Sequence, residues 1–345
     1  MNATGPKTMS PLSSALDQVV VELPPAMAVL LIPTLLLYAA IYALYVKGHQ
    51  KTFLGLTVAS IAFFWACPWL TPVHCGPLRC LQNFAIAIGS MKLLDLVARR
   101  RAPPRYTASE TPPSGWLLSW IVLTELRYES FTPNPIRVPP GAAGLSEAGQ
   151  LAIHLGGFAV LQALPQDYAF VLALEVLLAI YIIWTSIQLV LRYKTSPLLF
   201  GPLYMANSLS SFWSETWHNA FASPCESLAY TPLRKWLGAL GFPLPAARSV
   251  GILGAFGLMA VFHVYALQPI LPPQSLVRIG LFFVLNGVAT VVEGAIWGRK
   301  KHWVKTAMAW IFEALLASWT AEEARIPHGL GSITWKDMCG CVQGF

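Results

Sequence analysis

The chain has 345 residues, of which 55% are hydrophobic and only 11% charged, and it carries a formal net charge of +7. So little charge excludes a soluble globular domain of this size and excludes the disordered class. The basic excess sits beside apolar runs rather than among aromatic residues on a polar domain, which argues against nucleic acid as a partner.

Apolar runs long enough to cross a bilayer need roughly 17–25 residues. They fall at about 23–46, 52–71, 80–98, 148–164, 168–191, 250–268, 275–297 and 303–320. The expectation is an all-α, polytopic membrane protein with about seven to nine transmembrane helices. The first run has no basic segment ahead of it, is too long for a secretory leader and is followed by further spans, so it is expected to be a retained anchor. Residues 1–22 and 326–345 are expected to be tails flanking a single membrane-embedded domain at 23–325, with no internal repeat. Within that domain, 101–147 is rich in Pro and Gly and predicts a surface connection, with an interfacial helix around Trp116 to Tyr128.

Basic residues fix an expected orientation. Lys47 and Lys51 follow the first run, the cluster from Arg99 to Arg105 follows the third, Arg192 and Lys194 the fifth, and Arg299 to Lys305 the seventh. If the spans alternate, these clusters share one side, which the positive-inside tendency assigns to the cytosol together with 193–249. The cysteines at 67, 75, 80, 225, 339 and 341 form no CxxC pair and lack a histidine at finger spacing, so a structural zinc site is not expected. Cys75 and Cys80 are close enough in sequence to pair across a lumenal loop.

The stretch with most chemistry in it is Ser211 to Phe221, SFWSETWHNAF, where an imidazole stands among tryptophans. Read as a helix, Ser211, Ser214, Glu215 and His218 share one face while Trp213, Trp217 and Phe221 share another. His218 has two readings: a site residue, or an interfacial histidine bonded to a neighbouring loop. Farther along, His263 lies in an apolar run, and its neighbours at three and four positions are Met259, Ala260, Ala266 and Leu267. Nothing local is expected to satisfy the ring, so a desolvated, uncharged base is expected. The alternative for His263 is a bond to a carbonyl of another span. Glu175 and Glu293 lie within spans, placed either to orient a histidine or to pair with Lys92. There is no GxSxG elbow, GxxxxGK loop, HExxH pair or NDxxD-type motif, which leaves histidine chemistry.

SFWSETWHNAF, then LRKWLG, then a second histidine inside an apolar helix resembles the membrane-bound O-acyltransferases, and especially their wax synthase-like branch. The segments TELRYESF and SMKLLDL are similar to fungal O-acetyltransferases that act on terpenoids and meroterpenoids. The resemblance implies a helical core with a central tunnel, in an endoplasmic reticulum membrane, where an acyl-CoA from the cytosol meets a lipophilic alcohol from the bilayer. It places His263 as the catalytic histidine and His218 at the position of the motif Asn or His. Trp213, Ser214, Glu215, Trp217 and Asn219 would position the thioester carbonyl or its oxyanion, and Arg234 and Lys235 would meet the phosphates of CoA. It implies no metal and no permanently bound cofactor. Acetyl-CoA is the donor expected first, with a long-chain acyl-CoA giving wax or sterol esters as the alternative. Where many relatives carry an acid after the catalytic histidine, this chain has Val264, so the partner that orients His263 is an open question. Outside the enzymes, a transporter using His and Glu as a proton relay is the competing class, against which stands the lack of an internal repeat.

Overall fold

The computed structural model describes residues 11–138, 142, 144–165, 167–191, 198–298 and 300–323. Arg192, Lys194, Arg299, Cys339, Cys341 and the expected C-terminal tail lie outside these residues.

Helices stand at all eight predicted places. In chain order the described residues form α1 (Pro11–Tyr45), α2 (Gln50–Leu70), α3 (Gly76–Arg99), α4 (Gly115–Thr124), α5 (Glu147–Gln162) and α6 (Ala169–Leu191), then the short α7 (Leu209–Ser211) and α8 (Ala222–Pro224). The series closes with α9 (Thr231–Ala239), α10 (Leu244–Leu267), α11 (Pro273–Trp297) and α12 (Trp303–Glu323). Six of them, α1, α2, α3, α6, α10 and α11, are long and apolar enough to cross a membrane. The protein is therefore an all-α polytopic membrane protein. Local chemistry sets the boundaries. Proline lies in the first turn of α3, α10 and α11, where a missing N–H costs nothing. Gly298, at φ 56°, ends α11 in a conformation that side chains with a Cβ avoid. The first helix begins at Pro11, ahead of the apolar run from which its start was expected.

Packing follows the hydropathy. Large apolar side chains such as Val58, Val190 and Val261 remain 69%, 82% and 69% exposed, a surface that hydrocarbon covers and water would penalise. The main core joins α1, α2, α3 and α4 through Ile41, Phe53, Phe64, Ile86, Leu93 and Val122. The helix α10 packs on α3, α9 and α11, and α12 bridges α6 and α11.

Two expectations are corrected here. The segment 101–147 is only in part a surface connection. Its helix, α4, is short and shows Trp116 and Trp120 outward at 65% and 52% exposure, as an interfacial helix would. The chain then turns inward, burying Glu125, Arg127, Tyr128 and Phe131. A two-stranded ribbon, β1 (Arg105–Tyr106) against β2 (Phe131–Thr132), closes the base of this excursion. Second, Cys75 is disulfide-bonded while Cys80 is a free thiol buried in α3, so the two do not pair with each other.

Candidate functional site

His263 sits on α10 with its Nδ1 at 2.8 Å from the backbone carbonyl of Met259, one turn back on the same helix. A carbonyl only accepts, so Nδ1 carries the proton and Nε2 keeps its lone pair. The expectation that nothing local satisfies this ring is thus corrected, because a main-chain group of its own helix does so. The other open question also closes: neither Glu175 nor Glu293 orients it. The ring stacks on Phe283 of α11 at 4.2 Å and meets Phe262 edge-on at 4.9 Å, which fixes its plane.

The motif stretch is not the α-helix that its spacing predicts. After α7 it continues as a π-helix at Phe212–Thr216 and then extends at Trp217, which has ψ 157°. The polar face proposed for Ser211, Ser214, Glu215 and His218 therefore does not form. The hydroxyl of Ser211 receives the N–H of Asn207, and Ser214 donates back to the carbonyl of Ser210 at 2.7 Å. Glu215 is half-buried on the π-turn. The wide turn instead carries Trp213 inward, where its indole N–H meets Asn286 at 3.1 Å and Glu313 at 2.9 Å. A π-bulge of this kind re-aims side chains and recurs at functional sites.

Beyond the π-turn, His218 lies among Phe200, Trp217 and Phe221, with ring centroids 5.4, 5.2 and 6.0 Å away. Phe221 reaches Phe262 at 4.7 Å, so aromatic rings link the His218 loop to the helix that bears His263. Burial pushes the imidazole of His218 down to about 3, and positive charge on His263 or Arg127 acts in the same direction. Desolvation thus keeps the His218 ring uncharged near pH 7.

Asn219 is buried, and its Oδ1 accepts a 2.8 Å hydrogen bond from Nη1 of Arg127. Arg234 rests over the ring of Tyr230 at 5.5 Å, and Lys235 is exposed on α9. Neither is brought against the histidine pair. Glu293 receives the N–H groups of Leu209 and Ser210 at 2.8 and 3.3 Å, and lies 3.7 Å from Lys305, so it caps the start of the motif helix. Glu175 takes the amide of Gln162 at 2.8 Å. Lys92 pairs with neither acid. It donates to the carbonyl of Glu125 at 2.7 Å and lies 3.8 Å over the ring of Tyr128.

Several neighbours escaped the sequence reading. Glu313 and Asn286 give no local signal, since their partner Trp213 is 100 and 73 positions away. Phe283 and the Met259 carbonyl look like ordinary span residues. Arg127 lies inside a Pro- and Gly-rich stretch that reads as surface.

The stretch that carries both histidines, linked through Phe221 and Phe262, has known relatives. Residues 196–285 match the membrane bound O-acyl transferase family. That segment holds His218, Asn219, His263 and Phe283. The chain is 28% identical over 153 residues to the probable long-chain-alcohol O-fatty-acyltransferase 7 of Arabidopsis thaliana, a stretch that covers 44% of each chain. It is 26% identical over 140 residues to enzyme 1 of the same series in that plant, covering 40% of this chain and 39% of the relative. With enzyme 9 the identity is 34% over 99 residues, or 28% of each chain. The match thus spans less than half the length of these curated relatives. No solved structure matches the chain.

Proposed function

We propose that the protein is an acyl-CoA-dependent O-acyltransferase that esterifies a lipophilic alcohol within the membrane. The observation that carries this reading is His263: its Nδ1–H is spent on the Met259 carbonyl, so Nε2 is the acceptor, and the rings of Phe262 and Phe221 link it to a second uncharged imidazole, His218, inside the matched segment. In the proposed reaction Nε2 takes the hydroxyl proton as the alcohol oxygen attacks the thioester carbonyl carbon. The C–S bond then breaks, and the imidazolium returns the proton to the departing thiolate. No acyl-enzyme forms. His218 and its neighbours hold the carbonyl and stabilise the oxyanion in surroundings where fixed donors are worth most. Both substrates meet in one tunnel through the helical core, which turns a bimolecular encounter into a local one. The proposed address is the endoplasmic reticulum, where acyl-CoA and lipophilic alcohols coincide, with Arg234 and Lys235 facing the phosphates of CoA on the cytosolic side.

Donor length separates two forms of this reading. The names of the Arabidopsis relatives support a long-chain alcohol and a fatty acyl donor. Rings at 4.2 and 4.9 Å from His263 support a short donor such as acetyl, with a terpenoid or meroterpenoid acceptor. Microsomes holding the chain, given acetyl- to palmitoyl-CoA with long-chain and terpenoid alcohols, are expected to yield an ester with one donor class. In the same membranes His263→Ala should lower turnover by about 10²–10⁴-fold at unchanged protein level. Wild-type turnover in that variant would refute the assignment.

A further inference from the structure

Among the described residues, 125–130 is a heavily buried polar stretch that the reaction above does not use. Arg127 is 2% exposed, Glu125 4% and Tyr128 0%. The Glu125 carboxylate accepts from the backbone N–H of Ser130 at 2.8 Å and from its hydroxyl, closing a tight turn. Tyr128 takes φ 54° in that turn, a conformation a bulky residue adopts only when its surroundings dictate it. Lys92 fastens the turn to α3 from below. One helical turn along α3, Asp95 receives the hydroxyls of Ser223 and Ser227 and the guanidinium of Arg99. The loop that carries His218 is therefore tied to α3 on its later side, and to Arg127 on its earlier side.

The Arg127 guanidinium has a defined task in this arrangement. Its Nε meets Glu129 at 3.0 Å, and its Nη1 donates to the carbonyl of Leu198 and to Oδ1 of Asn219, both at 2.8 Å. Arginine has only donors, so the carboxamide of Asn219 must present its oxygen to it, and the NH2 end must face the other way. Asn219 is 7% exposed, and among the described residues its Nδ2 donates to nothing. Trp213 has committed its indole N–H and Ser214 its hydroxyl. Trp217 is held by ring stacking on Phe212. The Arg127–Glu129 pair is weak evidence for stability, since desolvating both charges is costly, but it holds the guanidinium whose Nη1 takes up the Asn219 oxygen.

We propose that Arg127 is a positioning residue that locks the carboxamide of Asn219 with its NH2 turned toward the substrate beside His218, making Asn219 the donor to the thioester carbonyl and its oxyanion. This rests on the acyltransferase reading, and the tests keep the two apart. Asn219→Asp keeps the oxygen that faces Arg127, and with it the fold, but replaces the donor by an acceptor. It is expected to accumulate normally and to lose about 10²–10³-fold in kcat, with KM for acyl-CoA little changed. Arg127→Lys is expected to lower kcat, again without raising KM. Because Arg127 acts through Asn219, the double variant should be no slower than Asn219→Asp alone. Asn219→Asp turning over within threefold of wild type, while His263→Ala is inactive, would overturn the proposal and leave the acyltransferase reading standing. So would losses that multiply in the double variant. If Asn219→Asp fails to accumulate, Arg127→Lys decides, and an unchanged kcat there overturns the proposal. An active His263→Ala would sink the underlying reading instead.

Discussion

The state of one imidazole shows how much a residue's surroundings decide. His218 would titrate near 6.5 in an unfolded chain, and burial lowers it to about 3 in the folded one. Between those values the unfolded chain binds a proton that the folded chain refuses. Stability contributed by the neutral ring is therefore complete above about 6.5 and falls as the pH drops toward 3, by up to about 1.4 kcal/mol per pH unit. Thermal unfolding in detergent across that window should show a steeper acid loss for the wild type than for His218→Gln. Equal slopes would mean that the ring is better solvated than its aromatic neighbours imply. Both histidines could be picked out of the sequence as candidates, because an ionisable group in an apolar run stands out. Their partners were not. A backbone carbonyl leaves no mark in the letters, and Arg127 lies 92 positions from the amide it holds.

At the scale of elements, the motif helix is short, π-wound and dependent on its neighbours. Its start is fastened by Glu293, which takes two backbone N–H groups and lies 3.7 Å from Lys305, with both side chains buried. Removing the carboxylate in Glu293→Ala strands a buried ammonium and two orphan donors, a loss of about 3–5 kcal/mol. Adding Lys305→Met should recover part of that, as read from melting temperature, because the uncompensated charge is gone. No recovery would show that the backbone cap carries the whole effect. The positions of the helices followed closely from hydropathy, including the weak ones at 147–162 and 303–323. The winding did not. A spacing of three and four residues describes α-helix, and nothing local announces that a turn will widen or that Trp217 will extend. Nor does Pro- and Gly-rich composition reveal that TELRYES folds inward, since its polar residues bond to α3 and to the loops at 198 and 219 as well as to one another.

Across the whole molecule, the candidate site is assembled from distant parts. The matched stretch 196–285 contributes the histidines, but Asp95, Arg127, Glu293 and Glu313 come from outside it. Expressed alone, that stretch would expose a set of buried polar groups with no counterparts. It should neither accumulate in membranes nor form ester, whereas supplying the two flanking pieces in trans should restore some folded protein. Accumulation of the isolated stretch in a protease-resistant form would contradict this. Overall architecture was the most readable property, because twenty apolar residues in a row permit few fates in lipid. Assembly of the site was the least readable, because it depends on pairings that cross most of the chain.

The hydrogen bond that sets the tautomer of His263 ends on main chain, at Met259. Exchanging that methionine for another residue leaves the oxygen where it was, so the lone pair on Nε2 is a property of the coil rather than of any replaceable side group. Only a change that breaks the winding of α10 itself could move the proton to the other nitrogen.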